Sequence, residues 1–385
     1  MIPRLLAPKI QSLVGKFPVI ALTGPRQSGK TTLVKAVFPE LPYVSLEEPD
    51  IRQFALTDPR GFLSNYPHGA ILDEVQRAPD LFSYIQAIVD NDREALFVLT
   101  GSANFLLMEQ ISQTLAGRSA VLHLLPFSMP ELRQGGFVFA QYEQLLFTGQ
   151  YPRIYDRDIA PTDFYPAYIQ TYVERDVRQI QNITDLNTFI LFVQLCAGRT
   201  GQLLNYTSLA NDTGVSPNTA RAWLSILEAS YIVYRLYPYH KNFRKRLVKS
   251  PKLYFYDTGL ACSLLGIRSA EQVNVHFLKG ALFENLIINE FIKRDLNQGA
   301  RQRLWFWRDS QGKEIDCLLP NGDKLIPVEI KAGKTISGSY FSNINYWQQL
   351  TGQKNPGYVV YGGDASLQTS NGNLVSWQEL EKIAF

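Results

Sequence analysis

The sequence predicts an α/β protein of several domains whose first part is a parallel sheet covered on both faces. Three observations predict it. Over the first 135 residues, short and nearly continuous apolar runs alternate with helical patterns, the texture of parallel strands buried on both sides. Residues 206–227 read as two short helices around a Gly-containing turn, the spacing of a helix-turn-helix. From about residue 251 the chain becomes strand-rich, and Pro320-Asn-Gly-Asp323 separates two apolar runs as a hairpin turn would. The 385 residues, at ~150 per domain, favour two to three domains. The expected division is 1–135, a helical connector at 136–195, a winged-helix unit at 196–250 and a C-terminal α/β unit at 251–385.

Composition excludes several classes. With 45% hydrophobic and 19% charged residues the chain is an ordinary globular sequence, not a disordered tail, a fibre or a coiled coil. The net charge of +3 announces no nucleic-acid binder by itself; only a local basic patch would. Cys196, Cys262 and Cys317 have neither disulfide nor zinc spacing and read as buried thiols. No signal peptide is legible at the start, and no window approaches the ~18 apolar residues of a membrane helix. A cytoplasmic protein without a membrane partner is expected.

In chain order, Pro18-Val-Ile-Ala-Leu22 is the first strand. It leads into a loop of Gly24, Pro25, Arg26, Gln27, Ser28, Gly29, Lys30, Thr31 and Thr32, and Leu33 to Phe38 continue as a helix. The loop fits G-x-x-x-x-G-K-[ST]. Its glycines turn backbone N–H groups toward phosphates at a helix N-terminus. Lys30 is placed to reach the β- and γ-phosphates of ATP, and Thr31 to ligate Mg²⁺. The apolar run Ala70-Ile-Leu72 ends in Asp73-Glu74. Asp73 would help hold Mg²⁺, and Glu74 would orient or deprotonate the attacking water. The run Ala95–Thr100 ends near Ser102 and Asn104, either of which could sense the γ-phosphate. Arg118 is a candidate for the charge-stabilising arginine, supplied in cis or by a neighbouring subunit of a homo-oligomer; Arg26 sits inside the loop itself and its role is left open.

In the middle, Ser216 is an N-cap and Pro217 a first-turn residue. Ala220, Trp223, Leu224 and Leu227 form one apolar face of the second helix, leaving Asn218, Arg221 and Ser225 to meet a DNA groove. After the strand Tyr231–Tyr237 come Lys241, Arg244, Lys245, Arg246, Lys249 and Lys252 with no acid among them. A wing of that charge would hold phosphates regardless of sequence.

Near the end, Glu329-Ile-Lys331 puts an acid and a base on one strand face. Asp316 lies on the preceding strand and Glu284 on an amphipathic helix. Such a set suits metal-dependent phosphodiester hydrolysis, with Glu284, Asp316 and Glu329 holding Mg²⁺ and Lys331 orienting the water.

Taken together, Gly24–Thr32, Leu72–Pro79, Leu99–Asn104, Leu115–Arg118, Tyr172–Val177, Phe255–Ala261, Leu282–Asn285, Glu314–Asp316 and Val328–Lys331 resemble the prokaryotic AAA-type ATPases that carry a C-terminal DUF4143 domain. The resemblance spans nearly the whole chain. It implies a P-loop ATPase, a winged helix and a C-terminal restriction-endonuclease-like fold of the PD-(D/E)xK type. On that pattern Asp316, Glu329 and Lys331 fall on the nuclease core and Glu284 on the first-helix acid. No second sensor arginine is legible in a helical lid. The expected activity is Mg²⁺-dependent ATP hydrolysis coupled to DNA engagement, with or without DNA cleavage. The alternative is an ATP-gated regulator whose nuclease-like domain is inactive.

Overall fold

A computed structural model describes residues 2–92, 94–102, 104–173, 185–239, 249–352, 356–370 and 372–383. Lys241, Arg244, Lys245 and Arg246 lie outside the described residues, as do residues 174–177.

The first unit is a five-stranded parallel sheet of β1 (Val19–Thr23), β2 (Tyr43–Ser45), β3 (Ile71–Asp73), β4 (Phe97–Gly101) and β5 (Ser119–His123), in the order β2-β3-β4-β1-β5. Successive side chains of a strand face opposite sides. Val19, Ala21, Leu72, Phe97 and Leu99 accordingly pack with Phe62, Leu81, Phe82 and Ile85 on one face. Ile20, Leu22, Ile71, Val98 and Leu122 pack with Leu6, Ile10, Leu33 and Val34 on the other. Register then sets the site: Asp73 pairs with Thr100 and Leu22 with Thr100. The carboxyl ends of β1, β3 and β4 thus lie side by side, where open α/β sheets bind ligands. The four apolar runs read from the sequence are strands; β2, three residues long and only partly buried, carried too little signal.

The helices α1 (Lys30–Val37) and α2 (Asn104–Thr114) follow β1 and β4. Further on, α3 (Tyr206–Thr213) and α4 (Pro217–Ala229) are joined by a turn in which Gly214 takes φ +75°, a left-handed cap that favours glycine. Ser216 Oγ accepts from the Thr219 N–H at 3.0 Å and Pro217 opens α4. Ala220, Trp223, Leu224 and Leu227 are buried, whereas Asn218, Arg221 and Ser225 are exposed. An antiparallel ribbon of β6 (Val233–Leu236) and β7 (Lys252–Phe255) follows.

This pairing corrects the expected boundary at 250. β7 belongs to the middle unit, because Leu236 pairs with Lys252 and Val233 with Phe255. Nor does packing separate a connector at 136–195 from the helices and strands beyond it. Tyr142, Tyr151, Phe192, Leu224, Tyr254, Phe283 and Val328 belong to one continuous core.

The C-terminal unit sets α5 (Lys279–Asn297) and α6 (Ser342–Thr351) against a six-stranded mixed sheet. Its strands are β8 (Trp305–Arg308), β9 (Glu314–Asn321), β10 (Lys324–Lys331), β11 (Tyr358–Tyr361), β12 (Leu367–Thr369) and β13 (Gly372–Ser376), in the order β12-β13-β11-β10-β9-β8. The β9–β10 hairpin turns at Gly322 and Asp323 with Gly322 at φ +58°, as the Asn-Gly-Asp signal anticipates. Cys196, Cys262 and Cys317 are buried free thiols. Among the described residues no helix is long and apolar enough to cross a membrane.

Candidate functional sites

The loop between β1 and α1 wraps back on its own lysine. Gly24 has φ +153°, and a Cβ there would stand 2.1 Å from the Leu124 carbonyl oxygen, so only glycine lets β5 approach this closely. Gly29, at φ +90°, caps α1. Arg4 props the loop from below, donating to the Ser28 carbonyl at 2.7 Å, the Leu125 carbonyl at 2.6 Å and Glu131 Oε1 at 3.0 Å. Lys30 is buried, and its Nζ donates to the carbonyls of Gly24 (3.0 Å) and Pro25 (2.8 Å). Burial pulls its ammonium down to about 8, against the opposing pull of Glu74 and Asp73.

The strand ends complete the site. Asp73 Oδ2 accepts from Thr31 Oγ1 and Tyr43 OH, each at 2.8 Å, and Oδ1 accepts from Thr100 Oγ1. Thr31 and Asp73 are thus adjacent hard oxygen donors, the chemistry Mg²⁺ takes, so these residues fit the ion expected there. Glu74 takes a left-handed φ of 55°, uncommon for a residue with a side chain and a mark of functional positions. Its Oε2 accepts from Ser102 Oγ at 3.1 Å and from Gln76 Nε2. Ser28 Oγ, Gln27 Oε1 and Gln76 Oε1 are buried without a hydrogen-bond partner among the described residues. Such orphans are costly and imply a polar ligand. Of the three, Gln27 borders a cleft of about 1200 Å³ that is also lined by Lys30, Thr31, Asp73, Glu74 and Ser102.

Other expected residues fare differently. Asn104 opens α2, and its side chain lies outside the described residues. Arg26 stacks 5.3 Å over the Tyr172 ring, and Gln27 Nε2 donates to Tyr172 OH at 2.8 Å. Arg118 corrects the expectation of an arginine in cis. It precedes β5, at the end of the sheet opposite the loop, and binds both carboxylate oxygens of Asp90 at 2.5 and 2.9 Å. Arg153, which the sequence did not single out, does line the cleft and makes no hydrogen bond or ion pair among the described residues. Tyr231 stands out in the sequence only as a strand residue. It takes φ +57°, and its hydroxyl lies 2.8 Å from His123 Nδ1 and 3.4 Å from Thr23 Oγ1, at the base of the loop. Burial pulls His123 down to about 4.

The C-terminal acids gather differently. Lys331 Nζ bonds Glu329 Oε2 at 2.5 Å and Asp316 Oδ2 at 3.4 Å, and the Ile330 N–H donates to Asp316 Oδ2 at 2.8 Å. Burial and the Asp316 charge raise the Glu329 carboxyl. Burial alone would lower Lys331, but Asp316 and Glu329 outweigh it and its pKa is raised. Glu284, the expected third ligand, is engaged elsewhere: its Oε1 accepts from Lys252 Nζ at 2.9 Å and Tyr254 OH at 2.5 Å. Among the described residues no three His, Cys, Asp or Glu side chains are grouped to hold a metal ion. The ligand set of Glu284, Asp316 and Glu329 therefore does not fit a metal as these side chains stand.

Strand order, loop and carboxylate pair define a nucleotide-binding domain of the P-loop class. Family comparisons agree. Residues 16–133 match an AAA domain, 139–271 a domain of unknown function (DUF8612) and 279–380 another (DUF4143). The uncharacterized proteins Rv2008c of Mycobacterium tuberculosis and Mb2031c of Mycobacterium bovis are each 32% identical over 337 residues, 86% of this chain and 74% of theirs. The chain belongs to the AAA-type ATPases with a C-terminal DUF4143 domain. Solved structures resemble it more distantly. The Walker-type ATPase PABY2304 of Pyrococcus abyssi has a TM-score of 0.46 and 14% identity, covering 67% of this chain and 94% of that one. The STAND protein PH0952 of Pyrococcus horikoshii, with a tetratricopeptide repeat sensor, has a TM-score of 0.23 and 10% identity, covering 74% and 47%.

Proposed function

We propose that the chain hydrolyses Mg²⁺-ATP and couples turnover to engagement of DNA. One observation carries the first half: a loop-bound Lys30 and Gln27, whose buried Oε1 has no hydrogen-bond partner among the described residues, border an open cleft that also presents Thr31, Asp73 and Glu74. Loop N–H groups and the α1 N-terminus bind phosphate oxygens. Lys30 exchanges its two carbonyl acceptors for the β- and γ-phosphates. Thr31 and Asp73 hold Mg²⁺, which when bound neutralises charge on those phosphates. Glu74, oriented by Ser102 and Gln76, accepts the proton of the attacking water. Arg153 supplies the cis positive charge, and Arg118, half-buried at the far end of the sheet, is left to act on a neighbouring copy in a homo-oligomer.

The DNA half rests on the exposed Asn218 and Arg221 of α4, followed by a ribbon, as in a winged helix. The basic run Lys241 to Arg246 would hold phosphates. Coupling is supported by Tyr231, which follows α4 and touches the base of the ATP loop through Thr23. The C-terminal unit is read as nuclease-like, on the strand pair that carries Asp316, Glu329 and Lys331. Phosphate release by wild type and Lys30→Ala, with and without duplex DNA, tests the whole reading. Turnover lost in the variant and stimulated by DNA in wild type is expected. Equal turnover in both proteins would contradict the ATPase reading, and DNA-independent turnover the coupling.

A further inference from the structure

Lys252 leaves the ribbon of the middle unit and enters the acid cluster of the C-terminal unit. Its side chain is only 3% exposed, and its Nζ bridges Glu284 Oε1 at 2.9 Å and Glu314 Oε1 at 2.5 Å. Arg308 adds a second cation on Glu314 Oε2 at 3.1 Å, while Lys331 spans Asp316 and Glu329. Three protein cations therefore face the four acids Glu284, Glu314, Asp316 and Glu329. A buried carboxylate needs a cation or a proton beside it. Here Lys252 supplies the cation to Glu284, and Lys331 supplies it to Asp316.

We infer that Lys252 is an internal counter-ion standing where a nuclease-like site would hold a metal, so that the C-terminal unit is closed to divalent cations until Lys252 withdraws. The inference rests on the nuclease-like reading of that unit and names its regulation. It also gives the ribbon a role. Lys252 is the first residue of β7, so a shift of the ribbon moves the plug.

The test is Mn²⁺ binding to the nucleotide-free full chain, followed by electron paramagnetic resonance, in wild type, Lys252→Gln and Lys252→Gln/Asp316→Asn. The double variant Lys252→Gln/Glu314→Gln removes one charge of each sign and guards against a fold lost to uncompensated glutamates. Phosphate release at wild-type rates reports that each variant is folded. A Lys252 variant should gain one Mn²⁺ site at least about tenfold tighter than any in wild type, a typical coupling between linked sites, and Asp316→Asn should abolish it. Plasmid nicking is read in parallel. A gained ion without nicking supports the inference and removes only the active-nuclease reading. Wild type that already binds Mn²⁺ through Asp316 as tightly as Lys252→Gln overturns the plug while leaving the nuclease-like reading standing. Folded Lys252 variants that gain no ion overturn it as well.

Discussion

The ATP cleft and the C-terminal acid cluster both assemble acids, a lysine and buried polar atoms, but they balance them in opposite ways. At the cleft the lysine makes do with loop carbonyls, its ammonium is drawn down to about 8, and Gln27 Oε1 has no hydrogen-bond partner among the described residues. At the C-terminal cluster Lys252 and Lys331 sit directly on carboxylates and are stabilised as cations. A site organised for a ligand leaves its polar groups unmet. A site that satisfies itself does not call for one.

Substitutions at the two centres should break this comparison in different observables. The largest effect falls on turnover. Glu74→Gln should lower ATP hydrolysis by about 10²–10⁴-fold, the range for loss of a positioned base, while fluorescent ATP analogues still bind. Lys30→Met should lower it by about 10²–10³-fold, as loss of one charge-stabilising donor does. Its urea midpoint should stay at or above wild type, because a buried ammonium without a carboxylate contact is removed. Lys252→Met should do the reverse, leaving ATP turnover near wild type and destabilising the fold by about 3–5 kcal/mol, because buried Glu284 loses its cation. Urea unfolding that shows equal stability for the two methionine variants would erase the distinction.

A smaller effect follows from the lowered Lys30 pKa. ATP needs the ammonium protonated, and the free protein loses that proton as pH rises through about 8. Affinity for ATP should be flat below pH 8 and weaken above it by up to about tenfold per pH unit, read by isothermal titration. A flat profile to pH 10 would mean that Lys30 is not the group engaged. The smallest effect concerns α4. Arg221→Ala should reduce the salt slope of DNA binding by about one, as loss of one phosphate contact does. An unchanged slope removes Arg221 from the interface.

What the sequence disclosed depended on how local each signal was. The loop from Gly24 to Thr32 is contiguous, and its backbone geometry follows from its own glycines, so it was legible in full. The helix-turn-helix was legible for the same reason, since Gly214, Ser216 and Pro217 act within a few residues. Tyr43 and Thr100 as partners of Asp73 were not, because register across three strands brings them there. Arg118 looked catalytic by its company in sequence, yet sheet direction carries it to the far end. Lys252 read as the last residue of a basic run suited to holding phosphates. Only the pairing of β7 with β6 turns it inward onto Glu284, and nothing local distinguishes it from Lys249, which is exposed. Glu284 was found as an acid on an amphipathic helix, but its partners Lys252 and Tyr254 lie on that same strand.

The most direct test of the contrast is a count of Mn²⁺ ions bound by the wild-type chain with and without a non-hydrolysable ATP analogue. One ion that appears only with the nucleotide, and is lost in Asp73→Asn, is the expected result. An ion bound without nucleotide and lost in Asp316→Asn would show that the C-terminal cluster, not the ATP cleft, is the site awaiting a metal, and would contradict the account.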